Sequence, residues 1–148
     1  MKVKDILASI EQIRNKHEHD FTSGDCGEFA IALAKFLTEN KIPCEYLVEY
    51  GSHYEMYDHV AVSIPKFRKH FDGTGLYKKK RGMQYDDDED YKVEYMNLPI
   101  NEESEDSIRR FTDNQGVFAY NEDSDVILSE FKLSENLKEL HTLQRTAG

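Results

Sequence analysis

Between Asn40 and Cys44 the hydrophobic pattern of the chain changes period, and this change restricts the folds open to it. Upstream, Val3, Ile6, Leu7, Ile10 and Ile13 recur at helical spacing and predict an amphipathic helix over 3–16, with its charged residues on the other face. After the break Thr22-Ser23-Gly24-Asp25, the residues Phe29, Ala30, Leu33, Ala34 and Leu37 repeat the spacing until Asn40 and Pro43 stop it. The second helix should therefore begin near Cys26, with Ser23 or Asp25 as its N-cap. Downstream of Cys44 the pattern is that of strands: 45–50, 57–64 and 69–72, separated by Gly51-Ser52, Pro65 and Gly73, with 91–96 as a weaker fourth. Two further helices are expected at 104–111 and 128–143, the last docking on the outside through Leu133, Leu137, Leu140 and Leu143. The expectation is an α+β fold: N-terminal helices packed on an antiparallel β-sheet, with additional C-terminal helices.

A length of 148 residues fits one domain, read here as a core over about 20–100 and a C-terminal helical extension over about 101–148. The net charge of −10 argues against nucleic-acid binding, because phosphate contacts need a basic surface. The cluster Lys78-Lys79-Lys80-Arg81 is expected to be a solvated turn. The acidic run Asp86-Asp87-Asp88-Glu89-Asp90 is expected to be an exposed loop, since it lacks the spacing and turn glycine of an EF-hand. Met1 to Leu7 has no apolar h-region, so neither a signal peptide nor a membrane span is expected, and the location expected is cytoplasmic. Cys26 and Cys44 are the only cysteines, read as free thiols; without a CxxC pair, structural zinc is not expected. His17 and His19 lack further ligands at helical spacing and are expected to be exposed, so the reading includes no metal and no organic cofactor.

The chemistry-bearing segment is Ser23-Gly24-Asp25-Cys26-Gly27-Glu28-Phe29-Ala30, a cysteine where a loop turns into a helix. A helix N-terminus carries partial positive charge and free N–H groups, which favour a thiolate and can hold an oxyanion. The polar or small neighbours of Cys26 mark it as the candidate nucleophile, whereas Cys44, between Pro43 and a strand, reads as a structural thiol. A cysteine nucleophile needs a base that also returns the proton, and histidine does both near neutral pH. His53 falls in a turn and His141 in the last helix, while His59 stands in the best strand and is the candidate. Strand alternation puts Tyr57, His59, Ala61 and Ser63 on one face, with residues small enough to admit the Cys26 helix, and turns Asp58 away. Asp72, reached after one antiparallel return near Pro65, is the candidate to orient His59, although Asp72-Gly73 is also a turn signal. His70 is the alternative base.

Three motifs now stand in order: Cys26-Gly27-Glu28-Phe29-Ala30-Ile31-Ala32-Leu33, His59-Val60-Ala61-Val62 and Phe71-Asp72-Gly73. In this order they resemble the papain-like superfamily, most closely its transglutaminase-like branch, and the resemblance covers about a third of the chain. Arylamine N-acetyltransferases share the order of the triad, so the resemblance does not choose a reaction. Gly27 and Val60 stand where many members of the branch carry an aromatic residue, and Gln12 lies too far upstream to match the oxyanion glutamine of papain-like proteases. The resemblance implies a cysteine hydrolase or acyltransferase that acts on a peptide or amide-containing substrate, proteins included, through a thioester. The alternative is a non-catalytic member of the fold, binding a partner through an acidic surface rich in tyrosine around Tyr46, Tyr50, Tyr54 and Tyr57.

Overall fold

A computed structural model describes residues 2–18, 21, 26–50, 57–79, 94–112 and 123–134. In chain order these form α1 (Val3–His17), α2 (Cys26–Glu39), β1 (Glu45–Tyr50), β2 (His59–Ile64), a single 3₁₀ turn (Pro65–Phe67), β3 (Lys69–Asp72), β4 (Gly75–Tyr77), β5 (Glu94–Leu98), α3 (Glu102–Thr112) and α4 (Ser124–Leu133). The strands make one antiparallel sheet in the order β4-β3-β2-β1-β5. The fold is α+β, with the helices leading and following the sheet.

The central element is α2. Ten of its fourteen residues are buried, Phe29, Ala30, Ile31, Ala32, Leu33, Ala34, Phe36 and Leu37 among them, so the helix is enclosed rather than amphipathic at a surface. Its alanines keep it slim. Tyr46, Val48, Val60, Val62, Ile64 and Phe71 of the sheet share its core, together with Ile6, Ile10 and Ile13 of α1. The helix ends in a Schellman arrangement: Ile42 N–H donates to Leu37 O at 2.9 Å and Lys41 N–H to Thr38 O at 3.0 Å, with Lys41 left-handed at φ 61°. Asn40 reinforces the stop by donating Nδ2 to Phe36 O at 2.8 Å, and Pro43 prevents continuation.

Helix α4 differs from expectation. It starts at Ser124, and its Phe131 is buried against Phe36 (ring centroids 5.7 Å apart, planes at 27°) and edge-on to Phe29 (5.7 Å, 63°). It is therefore part of the core, not a helix on the outside. The sequence-based helix over 128–143 took its register from Leu133, which is 77% exposed, and its stretch over 135–143 lies outside the described residues. Two more features depart from the pattern. Strand β2 begins at His59 rather than at Tyr57, and β4, only Gly75 to Tyr77, is too short to show a period. Gly75 sits at φ 115°, which favours glycine, and its α-carbon faces Leu7 of α1, so the turn from β3 to β4 is tucked under the first helix. Arg14 of α1 fixes that turn by donating Nη1 to Thr74 O at 3.0 Å.

Candidate active site

Cys26, His59 and Asp72 occupy ends of three elements: the first residue of α2, the first of β2 and the last of β3. Strand β2 leaves through the 3₁₀ turn at Pro65–Phe67, reverses at Arg68 (φ 52°) and returns as β3 with Val62 opposite Phe71. One step further along that ladder Asp72 lies across from Ala61, so its carboxylate reaches His59 diagonally on the same face. The contact is direct: His59 Nε2 to Asp72 Oδ2 is 2.7 Å. Cys26 is the other group that acts on His59 and favours its charged form; with Nε2 taken by Asp72, Nδ1 is the ring nitrogen left for the sulfur. The structure thus brings together the three residues singled out from the sequence. Cys26 is 3% exposed, and the His59 and Asp72 side chains 14% and 5%.

Asp72 does two jobs with two oxygens. Oδ1 accepts from Thr74 N–H at 2.8 Å and from the Thr74 hydroxyl at 2.5 Å, which is the turn-capping role its Asp-Gly sequence suggested. Oδ2 remains for the imidazole. Burial works against a charge on Asp72, but the hydrogen bonds from His59 and Thr74 outweigh it and hold the carboxyl below its ordinary value of 3.8. Burial likewise opposes protonation of His59, yet hydrogen bonds to Asp72 and Cys26 and Coulombic attraction to both push the imidazole up to about 10. The proton is thus held on His59, between an acceptor on one nitrogen and the thiol on the other.

The route by which α2 meets His59 differs from the expected one. Val60, Val62 and Ile64 share the core with α2, while Ala61 is buried yet lies outside that cluster. The body of the helix therefore packs on the branched face of β2, not on the face of small residues. Cys26 and His59 meet because both stand at element ends, where a helix terminus can pass the margin of a strand without lying on it.

Two contributors to the site escaped the sequence analysis. Tyr77 of β4 packs on the His59 ring with centroids 4.9 Å apart and planes inclined by 38°, and its hydroxyl donates to Glu49 Oε2. Glu49 is the ladder partner of His59 across β1 and β2 and is 6% exposed. An acid between Val48 and Tyr50, inside a run that reads as a strand, was the available signal.

The first turn of α2 is held from the opposite direction. Glu28 accepts from Arg109 Nε at 3.1 Å with Oε1 and from Ser124 N–H at 3.1 Å with Oε2, tying the helix that carries Cys26 to α3 and to the first residue of α4. Arg109 also donates Nη2 to Ser124 Oγ at 3.0 Å and lies 3.5 Å from Glu105.

Other candidates lie elsewhere. Asp58 is exposed, and Asp72 is the carboxylate that takes Nε2 of His59. His70 pairs across the ladders with Ser63 and Tyr77, and burial together with Lys79 lowers its pKa. Gln12 accepts from Ser134 Oγ at 3.5 Å, at the end of α4 rather than at Cys26. His17 was expected to be exposed; instead it is partly buried, 2.7 Å from Glu130 and edge-on to Phe21. No group of three metal-ligating side chains occurs among the described residues. Tyr46 has no exposed surface to offer a partner, and Tyr50 and Tyr57 pack partly buried against the core. Lys79 lies over the Tyr95 ring, 5.4 Å from its centroid. Ser23, Asp25, His19, His53, Tyr54, the acidic run 86–90 and His141 lie outside the described residues. Among the described residues no helix is long and apolar enough to cross a membrane. In comparisons with known proteins, no family model, no curated protein and no solved structure matches the chain.

Proposed function

We propose that the chain is a papain-like, transglutaminase-like cysteine enzyme, a hydrolase or acyltransferase acting on a peptide or amide carbonyl. The observation that carries this reading is the convergence of Cys26, His59 and Asp72 from α2, β2 and β3, with His59 hydrogen-bonded to Asp72 and Cys26 acting on the same imidazole. With the proton on His59, the sulfur of Cys26 attacks the carbonyl carbon and forms a C–S bond. The developing oxyanion lies at the N-terminus of α2, where the Cys26 N–H and the helix dipole stabilise it. Collapse breaks the C–N bond, and His59 donates its proton to the leaving amine, which leaves a thioester on Cys26. A water or an acceptor amine then gives its proton to His59 as it attacks the thioester, and the thiol is regenerated. Asp72 keeps Nε2 engaged so that the other ring nitrogen stays aimed at the sulfur throughout. This sequence needs no metal and no organic cofactor, and a cytoplasmic setting keeps the thiol reduced.

Alkylation with limiting iodoacetamide, read by peptide mass spectrometry, tests this reading with Cys44 as an internal reference. At about pH 7 Cys26 should react well ahead of Cys44, whose thiol burial pushes up to about 11, and His59→Ala should remove the advantage. Equal rates at the two cysteines, or a Cys26 rate indifferent to His59→Ala, would overturn it and leave the chain as a non-catalytic member of the fold.

A further inference from the structure

The imidazole of His59 is held by side chains from four elements. Asp72 of β3 takes Nε2, Cys26 of α2 also acts on the ring, and Tyr77 of β4 covers a ring face at 4.9 Å. The fourth contribution is indirect. Glu49 of β1, His59's neighbour in the ladder, accepts the Tyr77 hydroxyl. A carboxylate as buried as Glu49 requires a donor, and a phenol supplies one from a side chain with only two rotatable angles. Fixing the hydroxyl therefore fixes the position of the Tyr77 ring beside His59.

That position matters because of what His59 has to do. Its two ring nitrogens serve two partners at once, so a rotation about χ2 that loosened one contact would loosen both. Asp72 restrains one edge of the ring, but a single hydrogen bond is a hinge, not a clamp. A wall against the ring face removes the remaining freedom and keeps water from the His59–Asp72 bond, which strengthens as the surroundings become less polar.

We propose that Tyr77, anchored through its hydroxyl by Glu49, is a positioning residue for His59: its ring blocks rotation of the imidazole and shields the His59–Asp72 hydrogen bond. The effect on His59 follows from the packing alone; the consequence for Cys26 rests on the thiol-enzyme reading above. Neither Tyr77 nor Glu49 is assigned contact with reacting atoms.

The test follows two signals in the full chain, the Nε2 proton of His59 by NMR and the pH profile of Cys26 alkylation. In Tyr77→Leu that proton should exchange with water roughly tenfold faster or more, and alkylation near pH 6 should slow on the order of ten- to a hundredfold. Tyr77→Phe retains the ring and loses the anchor, so it should fall between wild type and Tyr77→Leu, and Glu49→Gln should lie closer to wild type because an amide oxygen still accepts. Being nearly isosteric, Tyr77→Phe serves as the variant that folds. Unchanged exchange of the Nε2 proton in both Tyr77 variants would overturn the positioning role. A wild-type Cys26 no more reactive than Cys44 would overturn the thiol-enzyme reading instead, and the exchange data would still decide the role of Tyr77.

Discussion

Cys26 opens α2 and Cys44 follows its end, so one helix offers each of its termini to a thiol. At the first terminus the backbone presents N–H groups, and the side chain in contact is His59. At the other the helix presents a carbonyl and a hydroxyl: Cys44 Sγ lies 3.8 Å from Ala34 O and 3.9 Å from Thr38 Oγ1. Burial raises the Cys44 pKa, the Thr38 contact lowers it slightly, and the neighbouring charge of Glu45 raises it again, to about 11. Two residues of one type, both largely out of water, thus meet opposite helix polarity and different neighbours. The exposure of a cysteine by itself says little about its reactivity.

The widest break in this comparison should appear in the pH dependence of alkylation. At about pH 7 roughly one Cys44 thiol in 10⁴ is ionised, so its rate should climb about tenfold per pH unit up to about 11. Cys26 should react well ahead of Cys44 at about pH 7, and His59→Ala should lower its rate about a hundredfold without touching Cys44. Equal rates at the two cysteines would erase the difference between the helix ends.

Next in size is the loss expected in Asp72→Asn, about 2 to 3 kcal/mol of stability by urea unfolding, since charged hydrogen bonds to His59 and Thr74 are given up. Its pH dependence follows from the direction of each shift. Folding raises His59 from 6.5 to about 10, so its share is complete below 6.5 and is lost as pH rises through about 10. Folding lowers Asp72 from 3.8, so its share is present above that value and is lost as pH falls through the depressed one. The gap between wild type and Asp72→Asn should therefore be widest between about pH 4 and 6.5. A gap that widened toward pH 10 would contradict the assignment.

Glu28→Ala should cost about 1 to 2 kcal/mol, because Ser124 N–H and Arg109 lose their acceptor at the N-terminal end of α2. The smallest effect belongs to the other end. Lys41→Gly should stabilise by up to about 1 kcal/mol, as glycine adopts the left-handed geometry without the steric cost borne by lysine. Denaturant titrations of both variants weigh the two ends directly.

Local rules made much of the fold legible. The periods of Val3 to Ile13 and of Phe29 to Leu37 located α1 and α2, and the turn residues located β1, β2 and β3. The triad candidates were legible for related reasons: Cys26 and Asp72 stand where a pattern begins or ends, and His59 falls within the strand expected over 57–64. What escaped was non-local. The branched face of β2, rather than its face of small residues, receives α2, because the register of a whole sheet decides which face is covered. Phe131 entered the core and Leu133 stayed in solvent, although helical spacing alone gave Leu133 to a buried stripe. Tyr77 and Glu49 lie 28 residues apart, and only the pairing of β4, β3, β2 and β1 carries one to the other.

The sequence by itself determined the order of elements, the change from helical to strand period after Asn40, and the placing of a cysteine at a helix start. These are short-range properties, set by side-chain spacing, turn residues and capping. Only the tertiary structure decided that His59 lies between Asp72 and Cys26, that Asp72 divides its oxygens between a turn and an imidazole, and that Tyr77 closes over the ring. Those contacts join residues from α2, β2, β3 and β4, and such distances in sequence are bridged only when the sheet register and the packing of α2 are fixed together.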